Sequence, residues 1–175
     1  MVGIVVVSHS FGLAEGVAEL ARQMGGPDVR IETAGGLDLP DHPIGTDAVM
    51  VMEAVGRAWS PEGVLVLMDL GSAVLSAEMA LELNRGTLVA LHLGRMKDAG
   101  TLRPEHVSLG KMGNVRGAIE VARSARTILG ANGVTLEYPV IRHVNNLESV
   151  LTYEGTHEVH TLVVGQALTG ENAFR

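Results

Sequence analysis

Residues 2–7 carry no polar side chain and consist almost wholly of Val and Ile, the composition of a strand buried on both faces. Such a strand needs helices on each side of its sheet, so it commits its surroundings to an α/β architecture. The flanking sequence agrees. After the mostly small and polar stretch 8–12, Leu13, Val17, Leu20, Ala21 and Met24 recur on one helical face until Gly25-Gly26-Pro27 ends it. Residues 29–33 alternate as a short strand that stops at Gly35-Gly36. Thr46 and Asp47 then offer capping oxygens to a helix whose face carries Val49, Met52, Val55 and Trp59. A third strand at 64–68, a loop Asp69-Leu70-Gly71-Ser72 and a third helix over 73–83 complete the pattern. With aromatics at 3%, the core is expected to be packed from aliphatic residues, with Trp59 as its one large filler.

Beyond Gly86 the period changes and strand-type runs cease. Helices are expected at 88–97, at 105–129 with Val115, Ile119, Ala122, Arg126 and Leu129 on one face, from Pro139 to Ser149, and from a Thr156 cap to Leu168. The expected organisation is a parallel, doubly wound α/β unit over 1–84 followed by an α-helical segment over 85–175. No Pro-rich or Gly/Ser-rich linker marks the junction.

Charge and composition narrow the function. A formal charge of −7 with no Lys/Arg run argues against nucleic acid and anionic membrane as partners. No apolar stretch reaches the ~18 residues of a membrane span, and no secretory leader is evident at the N-terminus. Zero cysteines exclude disulfides and thiolate chemistry, and the cytoplasm is the expected location.

In a doubly wound sheet, ligands bind beyond the carboxyl ends of the strands, where His9, Gly35-Gly36 and the loop 69–72 converge. A neutral imidazole is a good phosphoryl acceptor, because one ring nitrogen attacks while the other keeps its proton. Asp69 can fix that tautomer, and Ser72 and the amides of a helix start can meet phosphate oxygens.

The strings Ser8-His9-Ser10, Pro43-Ile44-Gly45-Thr46-Asp47 and Met68-Asp69-Leu70-Gly71-Ser72-Ala73 closely resemble the phosphotransferase subunit of phosphoenolpyruvate-dependent dihydroxyacetone kinase, whose first domain is similar to mannose-type enzyme IIA domains. The resemblance runs over residues 1–83. It implies phosphorylation at His9, with Asp69 and Ser72 beside it and Gly35, Gly36 and Thr46 lining the same edge. It further implies the carrier protein HPr as phosphate donor, a nucleotide-binding kinase subunit as acceptor, a homodimer, and no cofactor. The family's domain continues with another strand and helices that have no counterpart after Leu83.

A second set of strings, from Leu91-His92-Leu93-Gly94-Arg95 through Leu129-Gly130-Ala131-Asn132-Gly133 to Tyr153-Glu154-Gly155-Thr156, is similar to the C-terminal part of glutaryl-CoA dehydrogenases, of the acyl-CoA dehydrogenase family. This resemblance implies that Glu154 stands where the family has its α-proton base. It also implies Thr156 and Glu158 near a flavin (FAD), and Gly130, Asn132 and Gly133 toward the flavin's adenylate end. The domains that would enclose the flavin have no counterpart here, so the segment is expected to be silent alone. His106, His143, His157 and His160 read as solvated helix faces and not as a metal site. The joined pattern fits either a chimera or a tail that completes the sheet domain. Since each half lacks part of its core, oligomers are expected.

Overall fold

The computed structural model describes residues 1–173; the last two residues of the expected 85–175 segment lie outside them. The elements run β1 (Gly3–Ser8), α1 (Phe11–Gly25), β2 (Ile31–Gly35), α2 (Ala48–Ala58), β3 (Val64–Met68), α3 (Gly71–Asp98), α4 (Pro104–Ile128), a 3₁₀ turn (Gly130–Val134), α5 (Val140–Thr152) and α6 (His157–Thr169). Contacts divide the chain into two compact units, Met1–Leu81 and a second that begins at Glu82.

In the first unit the three strands are all parallel in the order β2-β1-β3, as the continuous apolar run at β1 demands of a central strand. Alternate residues of β1 serve opposite faces. Val5 and Val7 meet Val51, Ala54 and Ala58 of α2 and Ala73, Ala77 and Ala80 of α3. Val6, with Ile31, meets Ala14 and Ala18 of α1. Helices therefore cover both sheet faces, and the expected doubly wound architecture holds.

The sealing side chains differ from those the periodicity suggests. On α1 the buried residues are Ala14 and Ala18, whereas Leu13, Val17, Leu20 and Met24 are exposed. Alanine lets the helix approach the sheet closely, so the larger residues one position away stay outside. Trp59, expected in the core, is 60% exposed. It follows the last turn of α2 as that helix's C-cap, with extended backbone, φ −56° and ψ 137°. Leu65 and Leu67 of the edge strand β3 are also exposed, on the sheet face of their partners Ile4 and Val6.

An uncharged edge strand beside an apolar helix stripe invites association. The full chain is expected to brighten an apolar fluorescent dye and to sediment in a concentration-dependent way. Leu65→Ser with Leu67→Ser should weaken both while shifting stability by no more than about 0.5 kcal/mol per exposed site. A monodisperse monomer that leaves the dye dark contradicts this.

In the second unit α4 is the central element, packed against both α5 and α6. Its buried positions fall on two sides of the helix: Gly110 and Gly117 face Leu93 and Glu82 of α3, and Ile119 and Ala122 lie on the other side. Neither α5 nor α6 has a fully buried residue. An open, mainly apolar cavity of about 610 Å³ lies among Ala90, Asn114, Ala122, His143 and Leu147. The two helices expected at 73–83 and 88–97 are a single helix, α3, which runs through Gly86. One glycine costs a helix only about 1 kcal/mol, and Asn114 donates to the Gly86 carbonyl at 3.1 Å. Among the described residues no helix is long and apolar enough to cross a membrane.

Candidate functional site

β1 delivers His9 just past the end of the central strand, and Ser10 caps α1 by accepting from the Leu13 amide at 3.3 Å. Gly35 makes this geometry possible. A Cβ there would lie 2.7 Å from the Ala14 Cβ and 2.9 Å from the Phe11 Cα, so any side chain would push the start of α1 off the sheet. The following loop is tied to both sides of the histidine: the Gly36 amide donates to the Ser8 carbonyl at 3.1 Å and the Gly45 amide to the His9 carbonyl at 3.0 Å.

The adjacent strand β3 ends at Met68, so Asp69 arrives beside His9. The distance from His9 Nδ1 to Asp69 Oδ1 is 2.9 Å. Asp69 Oδ2 accepts from the His9 backbone amide at 2.8 Å and from the Ser8 hydroxyl at 2.8 Å, and Oδ1 also accepts from the Leu70 amide at 2.7 Å. On the far side of the ring, Ser72 Oγ lies 2.5 Å from Nε2, in the first turn of α3. His9 and Asp69 side chains are 17% and 22% exposed, so the pair is mostly covered yet still meets solvent.

Partial burial alone would raise the Asp69 carboxyl. The bonds from the His9 amide and ring, the Ser8 hydroxyl and the Leu70 amide outweigh it and hold the group well below the ordinary carboxylate range. An acceptor-only carboxylate at Nδ1 leaves the proton there, so Nε2 carries the lone pair and accepts from the Ser72 hydroxyl. In the neutral imidazole this arrangement turns the nucleophilic nitrogen toward a hydroxyl and a helix N-terminus.

A depressed folded-state value means that the unfolded chain binds the Asp69 proton more readily. Its stabilisation is therefore complete above the unfolded value of about 3.9 and is lost as pH falls through the folded one. The stability gap between wild type and Asp69→Asn is expected to stay constant from pH 7 to about 5 and to shrink below about 4. Urea titrations across that range measure it, and a gap that widens on acidification is the contrary result.

The structure thus brings His9, Asp69 and Ser72 together. Gly35 and Gly36 adjoin them, whereas the Thr46 hydroxyl bonds Ser76 at 2.8 Å and not the histidine. Ser8 was not foreseen as a member of the cluster; its place directly before His9 was the available signal.

The residues assigned to a flavin lie in two places. Gly130, Asn132 and Gly133 form the 3₁₀ turn after α4. Thr156 caps α6 by accepting from the Val159 amide at 3.3 Å. Glu158 sits in the first turn of α6, where its own backbone amide and the Thr156 hydroxyl hold its carboxyl below the usual value. Glu154 is exposed in the turn between α5 and α6 with φ 52°. No hydrogen bond or ion pair among the described residues joins the 3₁₀ turn to Glu154, Thr156 or Glu158. Of the histidines, His106 accepts from the Arg103 amide at 3.1 Å, and the Nε2 of His160 is buried without a partner. Among the described residues no three His, Cys, Asp or Glu side chains gather as a metal site would require.

Over 84 residues the chain is 58% identical to the phosphoryl donor subunit of PEP-dependent dihydroxyacetone kinase from Pantoea ananatis and 60% identical to that from Escherichia coli, covering 47% of this chain and 18% of each relative. A relative from Listeria innocua, the phosphoryl donor subunit of PEP-dependent dihydroxyacetone kinase 2, is 41% identical over 83 residues, 65% of its length. Among solved structures, the chain resembles glutaryl-CoA dehydrogenase from Mycobacterium smegmatis with TM-score 0.56 and 70% identity, over 58% of this chain and 26% of that one. A second glutaryl-CoA dehydrogenase structure from that organism, in complex with FADH2, gives TM-score 0.57 and 47% identity over 73% of this chain and 34% of that one. The chain therefore spans only part of each protein it matches. Residues 3–92 match the family described as the PTS system fructose IIA component, and residues 63–169 match the acyl-CoA dehydrogenase C-terminal domain. The chain belongs to both of these families, whose matches overlap over residues 63–92.

Proposed function

We propose that the chain is a phosphoryl relay in which His9 Nε2 takes up phosphate, Asp69 fixes the opposite ring proton, and Ser72 with the first amides of α3 meets the phosphoryl oxygens. The hydrogen-bonded line from Asp69 through the imidazole to Ser72, 2.9 and 2.5 Å long, carries the reading. An ionised carboxylate would repel a phosphoryl dianion, and here it faces the ring's other nitrogen. By likeness to the phosphoryl donor subunits, the donor is HPr and the acceptor is ADP on a separate kinase subunit. Residues 1–84 form the carrier domain and residues 85–175 an acyl-CoA dehydrogenase-like segment. The exposed β3 edge and α1 stripe support a homo-oligomer, and cytoplasmic residence fits a relay between soluble partners. The test is intact mass of the full chain before and after incubation with phosphoenolpyruvate and the upstream carriers, beside His9→Ala.

A second reading is favoured by the 70% identity of the helical segment to a glutaryl-CoA dehydrogenase. In it Glu154 keeps the place of a proton-abstracting base but lacks the surrounding domains. The purified chain is then expected to bind no flavin, since a few residues at one edge of a cofactor cannot enclose it. A stoichiometric flavin absorption spectrum that survives gel filtration overturns this and revives dehydrogenase chemistry.

A further inference from the structure

The turn between α5 and α6 is the most strained part of the second unit. Glu154 has φ 52° and Gly155 φ 94°, and side chains on L-residues seldom adopt the first of these. A Cβ at Gly155 would lie 2.8 Å from His160 Nε2, so α6 presses its imidazole directly on the turn. The Nε2 of that ring is buried without a hydrogen-bond partner, so it makes no hydrogen bond to the turn. The Glu154 carboxylate itself makes no hydrogen bond or ion pair among the described residues, so nothing on its own side chain offsets the strain.

The restraint comes from α4. Lys111 Nζ donates to the Tyr153 carbonyl and, at 2.6 Å, to the Gly155 carbonyl, and it lies 5.7 Å from the centroid of the Tyr153 ring. A cation at a helix C-terminus accounts for the first bond, since Tyr153 is the C-cap of α5. It does not account for the second, which lies beyond the helix. The two bonds straddle Glu154, and the ring contact adds a cation–π attraction on the same side.

We propose that Lys111 is a positioning residue: its ammonium holds the carbonyls before and after Glu154, so that the turn keeps its left-handed conformation and presents the carboxylate in one direction. The assignment rests on the second reading of Glu154 given above. Backbone strain survives only where its surroundings over-determine it, and such residues cluster where a group must be held ready for a ligand. An exposed carboxylate fixed through its neighbours' carbonyls, with its own oxygens left unengaged, is the arrangement a proton acceptor needs.

The test uses the full chain, isotopically labelled for NMR. In Lys111→Met, the heteronuclear NOE at Glu154 and Gly155 is expected to fall and the HN–Hα coupling of Glu154 to move toward an averaged value. Cleavage by a glutamyl endopeptidase after Glu154 should quicken about tenfold, while the melting temperature and the amide spectrum elsewhere stay as in wild type. Lys111→Arg should restore order, and adding Glu154→Gly to Lys111→Met should recover the NOE at Gly155, because glycine accepts a left-handed φ without help. Unchanged NOE and cleavage in Lys111→Met overturn the proposal. So does a general loss of helical order, which would make Lys111 a structural residue. These readouts need neither flavin nor thioester. Deuterium exchange at the α-carbon of an acyl thioester reports on Glu154 itself, and its absence beside an ordered turn counts against that residue's role and not against the clamp.

Discussion

Incubated with phosphoenolpyruvate and its upstream carriers, the wild-type chain is expected to gain a single acid-labile phosphoryl group, and His9→Ala to lose that labelling by more than about a thousandfold, as when a nucleophile is removed. The expectation follows from which nitrogen is free. Asp69 is engaged by the His9 amide, the Ser8 hydroxyl and the Leu70 amide as well as by the ring, so it is an anchored acceptor and Nδ1 must carry the proton. Nε2 then has its lone pair directed at Ser72. Serine is a poor substitute acceptor, because no base remains to take its proton once the imidazole is gone. Intact mass and acid lability read the result together. Equal labelling of His92, His143 or His160 in the His9→Ala chain would falsify the assignment.

Asp69→Asn is expected to slow both uptake and discharge by roughly ten- to a thousandfold, the range for loss of an orienting or acid–base partner. The amide has one acceptor oxygen where the carboxylate had two, and four neighbouring groups donate to it. If the Asn oxygen serves the backbone amide and Ser8, its NH₂ faces Nδ1 and drives the ring proton to Nε2, which blocks the nucleophile. If the oxygen serves Nδ1, the Ser8 hydroxyl and the His9 amide lose their acceptor and the strand end loosens. Either outcome lowers the rate without removing the acceptor. Rapid-quench labelling separates uptake from discharge, and unchanged rates in both directions defeat the idea.

Much of the first unit was legible because its signals are local. A β-branched run, a capping Asp47 and a Gly35-Gly36 stop each act within a few residues, and the loops that carry His9, Asp69 and Ser72 follow from them. What was misjudged depends on distance of approach. Periodicity marks Leu13, Val17 and Trp59 as core, yet alanines at 14, 18, 54 and 58 do the sealing, and nothing in a helical period says which of two adjacent faces meets the sheet. The continuity of α3 was hidden for a related reason: its apolar pattern changes near residue 85 while its backbone does not. The Lys111 clamp had no sequence signature at all. It joins residues 42 and 44 positions apart, and its acceptors are backbone carbonyls, which every residue possesses.

The strand order also sets when the site can exist during synthesis. β1 precedes both of its sheet partners in the chain, yet it ends at the centre of the sheet and must wait for β2 on one side and β3 on the other. A nascent chain that has not yet released residues 64–72 carries His9 with no carboxylate to fix its ring and no hydroxyl at Nε2. Such a chain also presents an apolar central strand with open edges, a species prone to capture by chaperones or by its neighbours on a polysome. Once Ala80 has followed Ser72, every side chain of the cluster and the α3 residues that cover β1 are available, so the carrier can assemble while α4, α5 and α6 are still being made.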